Sequence, residues 1–142
     1  MTLSADDTTR WLAGTPLFAA VEADGLARIA ARTTELDVPA GRVIVRQGEI
    51  GTGFYLIVAG AVRVVRDAET IAVLGPGDFF GELSILDGRP RLAQVVATEP
   101  TTCLAVASWD FEAVVTEQPT VALAVLRELA GRLRELTEAR HH

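Results

Sequence analysis

The stretch GTGFYLIVAGAVRVV, residues 51–65, decides the fold class of this chain. Large apolar residues recur in it at every second position, on both sides of a short Ala-Gly turn. The alternating positions are Phe54, Leu56 and Val58 before the turn and Val62 and Val64 after it. A period of two is that of a β-strand, and glycine allows the chain to reverse direction. The stretch therefore predicts two adjacent strands joined by a tight turn.

The same alternation extends outward over residues 34–107. The further alternating pairs are Leu36 and Val38, Val43 and Val45, Ile71 and Val73, and Leu104 and Val106. Turn sequences such as QGE, GPGD and DGRP separate the pairs at short intervals. Short strands with frequent turns are typical of a barrel or roll.

Helical patterns flank the strands on both sides. Before them, one helix is predicted to be capped by Ser4, and a second lies in VEADGLARIAAR, whose apolar residues have helical spacing. After them, Ser108 is predicted to cap a helix. Pro119 suits the first turn of a last helix, which we expect to end near Ala139.

Composition narrows the classes of function. The 142 residues are enough for one domain, and a formal charge of −6 would repel a phosphate backbone, so direct nucleic-acid binding by this chain is not expected. Its two histidines, residues 141–142, end the chain and resemble the remnant of a purification tag. Residues 1–140 therefore offer no histidine for a catalytic triad or for the usual histidine metal sites, and no metal is expected.

The distribution of apolar residues predicts where the protein is located and where its single cysteine lies. No apolar run approaches the roughly 18 residues that a membrane span requires, and the N-terminus is polar and acidic rather than signal-like. We therefore expect a cytoplasmic protein with no membrane contact. The single cysteine, Cys103, lies in the apolar run TCLAVA and is predicted to be a buried core residue.

A second stretch, FFGELSILDGRPRLAQVV at residues 79–96, contains the candidate ligand site. GELSIL has the length of a short helix with Gly81 and Glu82 at its N-terminus, where free backbone amides favour an anion. Arg91 follows on a loop stiffened by Pro90, and a guanidinium group suits the paired oxygens of a phosphate. Glu82 can accept hydrogen bonds from neighbouring hydroxyl groups. A ribose cyclic phosphate offers both a phosphate for Arg91 and an adjacent hydroxyl group for Glu82.

At these residues the chain resembles the cyclic nucleotide-binding domain family, which includes catabolite activator proteins, protein kinase A regulatory subunits and nucleotide-gated channels. The motif that carries the resemblance is the phosphate-binding cassette, matched by Phe80-Gly81-Glu82-Leu83, Pro90-Arg91, Ala93 and Val95. The resemblance covers nearly the whole chain. It implies a mainly β fold with flanking helices, a β-roll of the jelly-roll or double-stranded β-helix kind, with a short cassette helix and a long C-terminal lid helix.

The implied organisation is a single domain over residues 1–142. It comprises N-terminal helices at 1–33, the β-roll at 34–107 with the cassette at 80–95, and C-terminal helices at 108–140. The resemblance further implies that cAMP or cGMP is the ligand, with Arg91 on the cyclic phosphate and Glu82 on the ribose 2′-hydroxyl.

The remaining implied contacts come from the backbone and from apolar side chains. Backbone amides of Leu83, Ser84 and Leu92 would complete the phosphate site, and the backbone of Gly81 would lie near the ribose. The residues that would line the base pocket are Val64, Ile71 and Leu74.

Two residues depart from the family pattern. Leu92 stands where the family usually has a small residue or one with a hydroxyl group, and Gln94 stands where Ser or Thr is common. A hydroxyl group there helps to select guanine, so its loss favours cAMP over cGMP. The bulk of Leu92 could instead fill the pocket and leave a site that does not respond.

The last predicted helix carries a seam of small and leucine residues. These are Ala122, Leu126, Leu129, Leu133 and Leu136, at spacings of four and three. The seam either packs on the domain's own roll or joins two copies as a homodimer, because its spacing matches that of a coiled coil. In the family this helix closes over the base when the ligand binds.

The predicted function is therefore that of a non-catalytic sensor that binds a cyclic nucleotide, most favourably cAMP, and signals to an effector protein that the sequence does not identify. The alternative is a degenerate, non-binding domain kept for dimerisation. A cupin-type enzyme would need histidine ligands, and a DNA-binding regulator is disfavoured by charge and by length. The chain is either a stand-alone sensor or a regulatory piece of a larger protein.

Overall fold

In a computed structural model, which describes residues 2–81 and 87–139, two antiparallel sheets form the centre of the chain. Their strands are β1 (Thr34–Val38), β2 (Val43–Val45), β3 (Gly53–Ala59), β4 (Val62–Arg66), β5 (Glu69–Leu74), β6 (Phe79–Phe80), β7 (Gln94–Ala97) and β8 (Thr101–Ala107). One sheet has the order β1-β8-β3-β6 and the other β2-β7-β4-β5. The chain passes back and forth between the two sheets, which confirms the predicted β-roll.

Every alternating pair of the sequence lies in a strand, whereas the alternation does not reveal β6 and β7. β6 has only two residues, too few to show a period, and β7 reads QVVA, in which apolar residues are contiguous. β5 pairs with β4 alone and forms an edge of its sheet. Its residues Ile71 and Val73 are exposed, so their alternation identified the strand but not a buried face.

Helices cover the outer side of the first sheet. The described helices are α1 (Ala5–Ala13), α2 (Ala23–Ala31), α3 (Ser108–Glu117) and α4 (Pro119–Ala139), with a 3₁₀ turn at Pro16–Phe18. The Ser4 side chain accepts a hydrogen bond from the Asp7 amide at 3.0 Å, as predicted for a cap. α4 begins at Pro119, as expected, and runs to Ala139, the last residue that the structure describes.

The prediction that Ser108 caps α3 is wrong. Ser108 is the first residue of the helix, and the capping position falls on Ala107, which has no side-chain hydrogen-bonding group. Because β8 runs directly into α3, no loop residue is left to serve as a cap. The Ser108 amide instead donates to the carbonyl of Thr52 at 2.9 Å.

β3 lies between two apolar clusters, and this explains why its sequence is apolar almost throughout. Phe54, Leu56 and Val58 face the helices and form one cluster with residues of α1, α2, α3 and α4. On the opposite face, Tyr55 and Ile57 belong to a second cluster inside the roll. The helix-facing cluster anchors the terminal helices, and the inner cluster forms the floor beneath the candidate site.

Cys103 is fully buried in the inner cluster, as predicted. Burial disfavours the thiolate and raises the pKa of its thiol to about 11. Within the part of the chain that the structure describes, no helix combines the length and the apolar character needed to cross a bilayer. The cytoplasmic location expected from the sequence stays a prediction.

α4 packs on the domain by one face, and its buried residues lie in its first half. Val121, Ala124 and Val125 are buried there, and Leu129 packs against the same helix-facing cluster. The other leucines of the predicted seam face water. Leu126, Leu133 and Leu136 are 60%, 66% and 65% exposed. The domain's own roll therefore covers only part of the seam.

Candidate functional site

Main-chain hydrogen bonds fix the loop that carries Arg91. The Arg91 amide donates to the carbonyl of Glu49 at 2.7 Å, and its carbonyl accepts from the amide of Gly48 at 2.9 Å. Ile50 and Pro90 form a further isolated antiparallel bridge beside this pair. The short ladder holds the backbone of residue 91 in place, and its side chain turns inward, where the residue is only 7% exposed.

The guanidinium group of Arg91 lies against the backbone of two glycines. Its Nη2 donates to the carbonyl oxygen of Gly53 at 2.8 Å. Gly81 has a φ of +91°, and a Cβ built on it would overlap Arg91 Nη1 and would lie 2.5 Å from the same Gly53 oxygen. The close approach of guanidinium and backbone therefore requires glycine at position 81. The structure thus brings together two residues, Gly81 and Arg91, that the sequence predicted for one site.

Beside these two residues the roll contains a cavity of about 330 Å³. Its described lining comes from β2, β4, β6, β7 and the loop between the last two: Val45, Val64, Phe79, Phe80, Gly81, Asp87, Arg89, Pro90, Arg91, Leu92, Ala93 and Val95. Small-molecule sites commonly enclose roughly 300–1,000 Å³ and combine apolar walls with a few polar groups. The described lining has that character, and its charged side chains are two arginines and one aspartate.

Several predicted cassette residues cannot be placed. Glu82, Leu83 and Ser84 lie outside the described residues, and so does the predicted short cassette helix. Leu92 borders the cavity and is 62% exposed, so most of its side-chain surface faces water. Arg89 is exposed on the loop, and its amide donates to the Asp87 carboxylate at 2.9 Å.

The three residues predicted for the base pocket occupy different surroundings. Val64 lines the cavity. Leu74 packs against the inner cluster and is not among the described lining residues. Ile71 is 56% exposed on the edge strand β5. Their roles as base contacts stay predictions.

Of the aromatic residues around the site, the cassette motif includes Phe80, whereas Tyr55 and Phe79 were not identified from the sequence. The ring of Tyr55 stacks on that of Phe80, with centroids 5.0 Å apart, and the Arg91 Cζ lies 6.0 Å from the Tyr55 ring centroid. On the helix side, the Arg132 Cζ of α4 lies 4.9 Å from the centroid of Phe79. Phe79 also lines the cavity, so α4 contacts a residue of the cavity wall. The one available signal for Tyr55 was that it is the only tyrosine of the sequence and lies in an apolar strand.

The family model described as a cyclic nucleotide-binding domain matches residues 35–118. The Cyclic AMP receptor protein of Thermus thermophilus is 42% identical over 102 residues, which cover 68% of this chain and 47% of that protein. The chain spans about half the length of the curated relatives it matches.

Two solved structures share the fold. The N-terminal domain of a transcriptional regulator from Streptomyces coelicolor superposes with a TM-score of 0.84 at 32% identity, covering 92% of this chain and 94% of that one. The regulatory domain of Toxoplasma gondii PKA, crystallised with cAMP, superposes with a TM-score of 0.74 at 27% identity. The match covers 82% of this chain and 46% of that one. The family model matches more than half of the residues of this chain, and the chain therefore belongs to the cyclic nucleotide-binding domain family.

Proposed function

We propose that the chain is the sensor domain of a regulatory protein and that it binds cAMP in the cavity beside Arg91. The observation that carries the proposal is a buried guanidinium group, 7% exposed, at the wall of a cavity of about 330 Å³. A buried cation favours an anionic ligand, because the ligand replaces the hydration that burial removed. Arg91 would bind the cyclic phosphate, with Gly81 near the ribose.

The other cassette contacts complete the proposed site. Glu82 would accept a hydrogen bond from the ribose 2′-hydroxyl, and the backbone amides of Leu83, Ser84 and Leu92 would bind phosphate oxygens. Two named relatives support this ligand class: the Thermus protein is called a cyclic AMP receptor protein, and the Toxoplasma regulatory domain was crystallised with cAMP.

The preference for cAMP over cGMP is proposed from the side chains after Arg91. Leu92 and Gln94 have no hydroxyl group with which to bind a guanine. One missing hydrogen bond corresponds to about 0.5–1.5 kcal/mol, or a factor of about 2 to 12 in affinity. Val64 is the base-pocket candidate that the cavity geometry supports best, because it lines the cavity.

Calorimetric titration of the wild-type chain tests the proposal. We expect saturable binding of cAMP, weaker binding of cGMP by the factor above, and a rise in melting temperature with either nucleotide, because both bind only the folded state. Acyclic 5′-AMP is the matched control for the cyclic phosphate. If the titration with cAMP gives no binding heat and neither nucleotide raises the melting temperature, the alternative function, a non-binding interaction domain, is supported.

We also propose that the ligand alters the position of α4. Phe79 lines the cavity on one side and contacts Arg132 of α4 on the other, so a ligand that repacks this ring changes the support of the helix. Arg132 also pairs with Glu128 at 3.6 Å, within the same helix. We expect cAMP to slow amide hydrogen exchange in residues 128–139. Equal exchange with and without saturating cAMP would contradict closure of this helix.

The exposed part of the α4 seam is proposed to join two copies of the chain. Leu126, Leu133 and Leu136 lie at coiled-coil spacing on one face, and a second copy would present the same apolar row. This interface would serve the sensor and the non-binding alternative equally. The signal would then pass to an effector protein that remains to be identified.

Leu133→Glu is expected to weaken this homodimer by at least about tenfold, because it buries an unpaired carboxylate in the apolar row. Sedimentation equilibrium measures the change. Arg127→Gln is the matched control, since it lowers the net charge by the same one unit at an exposed position about 120° round the helix. A wild-type chain that stays monomeric at high concentration would contradict the homodimer.

A further inference from the structure

The ring of Tyr55 lies beside the guanidinium group of Arg91, and we propose that Tyr55 is a positioning residue that sets the orientation of this group before the ligand arrives. The inference rests on the proposed function, because it concerns the binding of a cyclic phosphate by Arg91. The Arg91 Cζ lies 6.0 Å from the Tyr55 ring centroid, within the range of a cation–π contact. With the arginine 7% exposed, little water competes for that face.

Gly53 explains why the ring lies there. Residues 53 and 55 point to the same face of β3, because side chains alternate along a strand. A Cβ built on Gly53 would be 3.1 Å from Oη of Tyr55 and 3.2 Å from its Cζ. The ring therefore folds back over a position that has no side chain. The carbonyl of this same glycine accepts the hydrogen bond from Arg91 Nη2, so ring and carbonyl hold one guanidinium group.

Phe80 stacks on the same tyrosine ring. The two rings are parallel to within 15°, with centroids 5.0 Å apart, and the two residues are directly paired across β3 and β6. Phe80 is 6% exposed and immediately precedes Gly81. Because the tyrosine ring contacts both Phe80 and the arginine, it has little freedom to rotate away. The stack thus connects the orientation of Arg91 with the strand that leads into the cassette.

The guanidinium group is consequently confined on three sides, by the Gly53 carbonyl, the Tyr55 ring and the backbone of Gly81. A group whose orientation is already fixed loses less conformational entropy when it binds a ligand. Removing the ring would leave the charge of Arg91 in place but would allow its fork to turn. Removal of the ring should therefore leave some cAMP binding but should reduce the selectivity for one orientation of the phosphate.

Tyr55→Phe and Tyr55→Met separate the ring from its hydroxyl group. We expect Tyr55→Phe to keep cAMP affinity within about twofold, because the π face remains, and Tyr55→Met to lose about tenfold. A second measurement separates positioning from structural support. It is the ratio of affinities for the Rp and Sp diastereomers of adenosine 3′,5′-cyclic phosphorothioate, which a purely structural role of Tyr55 would leave unchanged. This ratio reports which phosphate oxygen the guanidinium fork faces, and we expect it to fall towards one in Tyr55→Met.

Two further variants keep the outcome decisive. Gly53→Ala retains the tyrosine but displaces its ring, so it should lower the diastereomer ratio even where Tyr55→Met folds poorly. Combined with Arg91→Leu, Tyr55→Met should cause no additional loss. A wild type that binds no cAMP overturns the proposed function. A wild type that binds, with a diastereomer ratio unchanged in both Tyr55→Met and Gly53→Ala, overturns only the positioning role.

Discussion

Arg91→Leu is expected to weaken cAMP binding by at least about 2 to 3 kcal/mol, a factor of about 30 to 150 in the dissociation constant. The substitution removes a charge-assisted contact from an anion that must still leave water when it enters the cavity. The rest of the pocket should persist, because the backbone of residue 91 is held by Gly48 and Glu49 whatever its side chain. Calorimetric titration of cAMP measures the loss.

Arg89→Leu is the matched control for this experiment. It removes the same charge two residues away, on the same loop and beside the same cavity, but from an exposed side chain. We expect a loss below about 1 kcal/mol, because water screens an exposed charge. If the two variants bind cAMP equally well, Arg91 is not the phosphate ligand, and the buried arginine has a purely structural role.

Gly81→Ala is expected to have a comparable effect through the backbone. The new Cβ would overlap Arg91 Nη1 and the carbonyl oxygen of Gly53, so the guanidinium group would have to leave its position. The φ of +91° adds strain of about 1–2 kcal/mol for alanine. We expect both a lower melting temperature and a loss of cAMP affinity of about 30-fold or more, from the displacement of Arg91.

Gly77→Ala separates strain from displacement. Gly77 has the same φ of +91°, but a Cβ built there meets nothing within 4 Å. This variant should be destabilised by the backbone strain alone and should bind cAMP like the wild type. The decisive comparison is therefore the affinity of the two variants at a temperature where both are folded. Equal affinities would show that space at position 81 does not matter for the ligand.

Much of the architecture follows from local patterns in the sequence. Period-two alternation located β3, β4 and β8 because each has at least one face packed against an apolar cluster. β6 and β7 escaped this reasoning, since a two-residue strand shows no period and QVVA does not alternate. The cap assigned to Ser108 failed for a topological reason: a strand that runs straight into a helix leaves no place for a capping residue.

The part of the site that could be predicted consists of residues whose type is distinctive in the sequence. Arg91 stands out in a sequence because a guanidinium group suits a phosphate, and Gly81 stands out beside it. Gly53 acts through its carbonyl, which every residue possesses, and through the absence of a Cβ. Tyr55 acts through a contact between residues 36 positions apart, which no local pattern records. Backbone acceptors and long-range packing are therefore the parts that needed coordinates.

The two-sided packing of β3 restricts how this domain can diverge. Each residue of Gly53–Ala59 is buried or half-buried, so neither face of the strand offers a position at which substitution is neutral. One face supports the helices and the other borders the ligand site. A substitution that shifts the strand therefore alters the packing on both faces. Evolutionary drift should therefore spare this segment and enter through the edge strand β5, where apolar side chains already meet water.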